Sequence, residues 1–439
     1  METSEVIVIG AGFAGLTAAR ELSLRGYKTT VLEGRDRIGG RTYLEQRLGR
    51  GLELGGTWVH WTQPYVWAEM GRYGIDPVPG PEFTKAFWSA DGHLHEGSAE
   101  SMLELLDAPN QALLADARRY FPLPWSPLAN PAVYDIDGDT LSEAIDRLNL
   151  AEEQRQLLRS FWSLNFNGRL DQAAYTQALR WCALATGSWQ IMFETCATFK
   201  IEGGSRRLAE AILADSTAEL LLNQHVVSIG QDDAGVIVQT KEGKQYSARQ
   251  LILAVPLSVL NDFDIHPPLS PAKQQAAARG QAGRGAKLWI KVKGRQERFA
   301  ALGPETGALN FLQAEYIDDD TTTLVCFGPD AGAVDVDDPV AAQRLLDSLV
   351  PGLEVLEVAG HDWVADEYSR STWPMHYTGF LTESLAELQR PEGRIRLAGS
   401  DFANGWGGFI DGAIESGLDA ARAAANQMAV EAGTLTGAS

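Results

Sequence analysis

The spacing of apolar residues in this chain switches between the strand and helix periods, and the first switch comes at once. Residues 6–9 read Val-Ile-Val-Ile between polar neighbours, which predicts a short buried strand. Ala18, Ala19 and Leu22 follow at helical spacing, behind the glycines Gly10, Gly12 and Gly15. Residues 29–32 predict a second strand, ending in Glu33. Later segments read as helices over 140–149 and 151–161, with Leu157, Leu158, Phe161 and Trp162 on one apolar face. Leu164-Asn165-Phe166-Asn167-Gly168 breaks that helical pattern. Strands are predicted at 220–222, 224–229, 235–240 and 245–254, and again at 286–292, 308–313 and 322–327. A helix is predicted over 339–349. The last strand leads through a polar turn into an alanine-rich helix that opens in 404–413 and runs through Asn426, after which the tail from Met428 looks frayed. No internal repeat interrupts this order.

The first elements form a recognisable physical unit: strand, glycine turn, helix, strand, acid. Gly10 permits a tight turn, Gly12 lets backbone approach a pyrophosphate, and Gly15 lets helix and strand pack closely beside Ala14. The helix N-terminus would face phosphates, and Glu33 stands where a carboxylate can accept from a ribose. The alternative is a tight strand-to-helix turn without a ligand. The pattern alone does not choose the dinucleotide.

Composition narrows the class. The chain has 439 residues, enough for two or three domains, with 45% hydrophobic and 22% charged residues. A net charge of −21 without a basic patch disfavours nucleic acid. It is compatible with attraction of cationic amines, but solubility is the preferred account of it. The start reads straight into the first strand without a signal peptide, and no apolar run is long enough to span a membrane. Cys182, Cys196 and Cys326 are an odd, scattered set, so packed thiols in a reducing cytoplasm are expected, without disulfide or metal. Asp318-Asp319-Asp320 reads as a solvated turn. The oligomeric state is open, a homodimer among the possibilities.

Several motifs now carry a resemblance. Glu33-Gly34-Arg35-Asp36-Arg37-Ile38-Gly39-Gly40-Arg41 continues the opening unit, Leu54-Gly55-Gly56-Thr57-Trp58 follows, and Gly399-Ser400-Asp401 closes the chain. Together they resemble the flavoproteins of the amine oxidase superfamily. The resemblance implies FAD and an α/β fold: a Rossmann-like FAD-binding domain of the GR2 type with an α+β substrate domain and a helical cap. The cofactor domain would be discontinuous, over 1–72, 200–262 and 390–430. The cap would cover 73–199, where proline loops separate helical stretches, and the β-sheet part of the substrate domain 263–389.

The resemblance also implies roles. Gly10, Gly12, Ala14, Gly15, Glu33, Arg35, Gly40 and Arg41 would serve the adenosine and phosphate end, with Val226 against the adenine. Gly55, Gly56, Thr57, Trp58, Trp363, Gly399, Ser400, Asp401, Phe409 and Ile410 would serve the flavin end. Lys287, opening its strand, would hold a water beside flavin N5 and assist reoxidation. Strand spacing alone does not separate it from Lys291 and Lys293, which share its face, and each read alone is a surface lysine. Trp373 and Phe409 would form the aromatic cage, where tyrosines are the family's common pair. Thr372 falls where covalently flavinylated relatives carry cysteine, so non-covalent FAD is expected. Asn165 and Asn167 are helix caps or, for one of them, a substrate contact; Asn167 is taken as the candidate.

The implied reaction is oxidation of an amine C–N bond, with hydride transfer to N5 and O₂ returning the flavin with release of H₂O₂. A cage without hydroxyls favours a bulky or heteroaromatic secondary amine of hydroxynicotine type. An L-amino-acid oxidase, with Arg169 or Arg180 as carboxylate clamp, a polyamine oxidase and a flavin-dependent desaturase or protoporphyrinogen-type oxidase are alternatives. A flavin-binding protein without turnover is the remaining one.

Overall fold

The computed structural model describes residues 2–433. The opening strand Val6–Ile9 lies third in a five-stranded, all-parallel sheet. Its order is Glu219–Leu221, Thr29–Leu32, Val6–Ile9, Gln250–Leu253, Ile395–Leu397. Val6–Ile9, Thr29–Leu32 and Gln250–Leu253 are buried along their whole length, which is why they read as unbroken runs instead of alternating ones. The helices Phe13–Leu24 and Ile410–Glu431 pack together over this sheet, so closely that a Cβ on Gly417 would stand 2.4 Å from the Ala14 carbonyl oxygen. The first and last motifs of the chain thereby meet.

The 245–254 stretch divides at Arg249. Gln245–Ala248 joins a second five-stranded sheet with Glu2–Thr3, Val236–Thr240, Val226–Gln231 and Asp264–His266, while Gln250–Leu253 enters the parallel one.

A seven-stranded sheet carries the other half of the molecule. Its order is Val355–Gly360, Ala286–Lys293, Thr321–Gly328, Phe311–Ile317, Phe299–Leu302, Lys85–Ala90, His93–Ser98. The last two strands correct the sequence reading, which put all of 73–199 in a helical cap. Ala86, Trp88 and Ala90 are buried in alternation, and the connecting Asp91-Gly92 has φ +51° and +75°, the conformation of a two-residue hairpin turn. The remainder of that segment is largely helical, with Ala99–Leu113, Glu152–Phe166, Tyr175–Leu184 and Trp189–Ala197.

Other boundaries move for local reasons. The 140–149 helix shortens to Leu141–Asp146, opened by a capping box between Thr140 and Glu143. The 151–161 helix runs five residues further, to Phe166, and stops where Asn167 takes a left-handed φ of +46°. The 308–313 strand lies instead at Phe311–Ile317. The closing helix begins only at Ile410, leaving 404–409 irregular, and it continues to Glu431. Residues 434–439 of the expected frayed tail lie outside the described part.

Candidate active site

Two cavities meet inside the protein. The longer holds about 1460 Å³ of empty space counting its mouth, and runs from Glu33 and Val226 to Lys287, Trp373 and Phe409. The second, about 960 Å³ by the same measure, opens from Gly55, Gly56, Trp373 and Phe409 into an aromatic chamber.

The glycines of the first cavity divide by task. A Cβ on Gly15 would lie 1.9 Å from the Gly10 carbonyl oxygen, and one on Gly10 would lie 2.5 Å from that of Ala254. These two set the packing of strand against helix, and Gly15 does not reach the cavity wall. Gly12 does; a Cβ there would meet only Gly40, at 3.7 Å, so its backbone stays open to a ligand. Ala14, Gly40, Arg41, Gly399, Ser400 and Ile410 line the same wall.

The Glu33 carboxylate is held by the backbone N–H of Ala11 at 2.7 Å and of Arg35 at 2.9 Å. Arg35 pairs with Asp366 at 2.5 Å and lies over the Tyr368 ring. Arg41 donates to the Thr372 carbonyl at 3.0 Å and ion-pairs with Asp401. Asp401, expected at the cofactor, is buried behind that arginine and lines neither cavity; it fixes Arg41 instead. Trp363 lines the wall with its Nε1 donating to the Leu54 carbonyl at 2.9 Å.

Lys287 stands where the cavities join. It is 3% exposed, and its Nζ donates to the Gly55 carbonyl at 2.9 Å and to Thr57 Oγ1 at 2.5 Å. Burial pushes its pKa down, against the attraction of Glu53 and Glu315. Lys291 and Lys293 instead reach the surface acids Glu357 and Glu354. Register separates the three: Lys287 lies opposite Phe327 over the cavity, Lys293 opposite Thr321 at the strand's end.

Trp373 and Phe409 line both cavities. The Trp373 Nε1 donates to the Asn165 carbonyl at 3.1 Å, and its ring meets Phe327 edge-on at 6.1 Å. Phe409 is wedged between Trp181 at 5.1 Å and Trp406 at 5.4 Å. The irregular turn that carries Phe409 is clamped from several sides. Trp181 donates to the Gly407 carbonyl, Arg180 to that of Asn404, and Glu415 accepts from the N–H groups of Asn404 and Gly405. Burial pushes the Glu415 carboxyl up to about 7.

The two asparagines exchange places relative to the sequence reading. Because the helix continues to Phe166, Asn165 sits in its last turn and lines the aromatic chamber. Asn167, past the left-handed turn, lines the long cavity, with both side-chain amide atoms buried and unpartnered. Thr57 and Trp58, expected with the flavin contacts, line the chamber rather than the long cavity. Phe311, Gln313 and Phe327 were missed as site residues; their strands were predicted, but only the pairing of those strands turns them inward.

The long cavity fits an extended dinucleotide. It has a Gly12 backbone wall left open, a carboxylate at Glu33, and unpartnered buried polar atoms on Asn167 and Thr372. Residues 13–425 match the family model described as flavin containing amine oxidoreductase.

The chain belongs to that family.

Flavin amine oxidoreductases similar to it include a pseudooxynicotine dehydrogenase of a Pseudomonas species, 39% identical, covering 94% of this chain and 85% of the relative. The (S)-6-hydroxynicotine oxidase of Paenarthrobacter nicotinovorans is 31% identical, over 94% and 97%. Among solved structures, putrescine oxidase superposes with a TM-score of 0.84 at 20% identity over 97% and 99%. Cyclohexylamine oxidase from Brevibacterium oxydans does so with 0.80 at 21% over 97% and 99%. The fold is theirs, the cofactor is FAD, and the protein is an amine-oxidising enzyme. Among the described residues, no group of three or more His, Cys, Asp or Glu is placed to hold a metal, and no helix is long and apolar enough to cross a membrane.

Proposed function

We propose that this enzyme oxidises the C–N bond of a bulky or heteroaromatic secondary amine, of the kind found among nicotine-related compounds, with FAD held non-covalently. The observation that carries this reading is the Trp373 and Phe409 pair, two rings without a hydroxyl that line both the long cavity and the aromatic chamber. When bound, the flavin supplies the two-electron oxidation. The chain supplies position: Gly12, Glu33 and Arg41 would hold the adenosine and phosphate end, Gly55 and Gly56 would offer backbone to the flavin, and the two aromatic faces would align a flat amine. The apolar chamber walls favour the uncharged amine, whose lone pair is then free. Lys287 donates at the junction and is assigned the water that assists reoxidation by O₂.

Thr372 supports non-covalent FAD, since a hydroxyl lacks the thiolate needed for the attachment. Acid precipitation should leave the flavin in the supernatant; a yellow pellet would refute this.

An amino-acid oxidase reading needs a cationic clamp in the chamber. Arg169 pairs with Asp171 at the surface, Arg180 donates through Nη2 to the Asn404 carbonyl, and neither lines the chamber. The test is anaerobic bleaching of the purified yellow protein by nicotine-related amines, polyamines, L-amino acids and porphyrinogens. Reduction by the first group is expected, and reduction by none of the amines would sink the reading. Reoxidation of the bleached enzyme by air, scored as H₂O₂, tests O₂ as the acceptor. A subcellular fractionation would test the expected cytoplasmic location, and light scattering the homodimer.

A further inference from the structure

The aromatic chamber has few polar atoms, and one of them has its direction fixed by charge. Gln313 is 7% exposed and lines the chamber from the Phe311–Ile317 strand. Its Nε2 donates to Glu315 Oε2 at 2.9 Å. The other oxygen of Glu315 accepts from Lys200 Nζ at 2.5 Å, and that lysine also reaches the Tyr316 hydroxyl at 3.3 Å. A carboxylate paired with lysine only accepts, so it obliges the Gln313 amide to turn its N–H toward Glu315 and its carbonyl oxygen away. That Oε1 accepts no hydrogen bond from the described residues.

Strand register gives the depth. Lys287 lies opposite Phe327, and Phe327 opposite Phe311; Gln313 lies opposite Val325, one two-residue repeat further along. The repeat is roughly 7 Å. Gln313 therefore addresses the end of a substrate remote from the C–N bond held between Trp373 and Phe409.

We infer that Gln313 determines specificity: its fixed carbonyl oxygen accepts from an N–H or O–H that the substrate carries at its remote end. The substrate class is an aromatic or heteroaromatic amine with a distal donor, such as a ring hydroxyl or lactam N–H. A bare pyridine nitrogen would bring a lone pair against a lone pair. Glu315 is the positioning residue, acting through the amide it orients, with Lys200 holding it. The substrate identity rests on the amine-oxidising reading above, but the acceptor at Gln313 does not.

The test uses the FAD-loaded enzyme and redox-inert probes. 2-Pyridone carries the donor, while N-methyl-2-pyridone and pyridine lack it. Binding is followed by perturbation of the flavin absorbance. Wild type should bind 2-pyridone about tenfold more tightly than either analogue. Gln313→Met should erase the difference, and Glu315→Gln, which frees the amide to turn, should narrow it while the chamber wall is unchanged. In turnover, Gln313→Met should raise KM for (S)-6-hydroxynicotine about tenfold and leave KM for (S)-nicotine within about twofold, with kcat little changed for both. Equal affinities for the three probes in wild type, or a preference that survives in Gln313→Met, would overturn the assignment. If Gln313→Met does not fold, the wild-type comparison and Glu315→Gln decide it. Probe discrimination without flavin reduction by any amine would fail the amine-oxidising reading and leave this one standing.

Discussion

The two cavities share Gly55, Gly56, Trp373 and Phe409, yet their walls are built from different materials. Much of the cofactor cavity is backbone brought close by glycine, with two of its charged groups pre-tied: Glu33 by two N–H groups, Arg41 by Asp401. The chamber is largely side chain, from Trp58, Trp181, Phe311, Phe327 and Phe193, with two amides, Asn165 and Gln313, among its few polar groups. A backbone wall recognises what all relatives bind and tolerates almost no added atom. A side-chain wall can change one ring at a time, which is why the proposed substrate choice is assigned to it.

That contrast can be broken first on the backbone side. Gly15→Val would push a Cβ into the Gly10 carbonyl, which stands 1.9 Å from that position. Overpacking of this kind costs ~1–3 kcal/mol or more, so FAD affinity should fall by at least tenfold and the purified protein should be colourless. FAD content per chain measures it. At the junction, Lys287→Met should keep FAD but slow oxygen-dependent turnover about 10²-fold, with anaerobic flavin reduction less affected; stopped-flow halves the reaction and separates the two. On the chamber side, Trp373→Ala should keep FAD and lower kcat/KM for a flat amine by about tenfold, with a flattened preference across amines. An unchanged preference would remove the cage argument.

The smallest expected effect is a pH slope. Burial lowers the Lys287 pKa to about 7, against ~10.4 in the unfolded chain. Between those values the unfolded chain holds the extra proton, so the cost of burying the charge is fully present at lower pH and fades as pH rises. Wild type should therefore gain on Lys287→Met as pH rises from 7 toward 10, by about 4 °C in melting temperature. A constant offset across that range would mean Lys287 stays charged in the fold.

Legibility followed the same division. The opening unit, the Gly-Gly of Gly55-Gly56 and the closing Gly399 to Phe409 motif were readable because each needs a local backbone geometry that few residues permit. The hairpin at 85–98 carried a local turn signal at Asp91-Gly92, but the proline-rich loop before it and the helical stretches after it masked it. Lys287 is a different case. Three lysines share a face, and only the pairing opposite Phe327, with Gly55 and Thr57 delivered from over two hundred residues away, makes one of them buried. Asn165 and Asn167 depended on a single turn of helix beyond the readable pattern.

The sequence by itself determined a strand–glycine–helix unit followed by an acid, the family and FAD, because those signals lie within short stretches and survive as spacing. Tertiary structure alone decided which asparagine faces the chamber, that Asp401 serves Arg41, that Lys287 is desolvated, and that Gln313 presents oxygen rather than N–H. Each of these depends on a partner distant in sequence or on where an element stops, and spacing within one segment carries no record of what another segment will place against it.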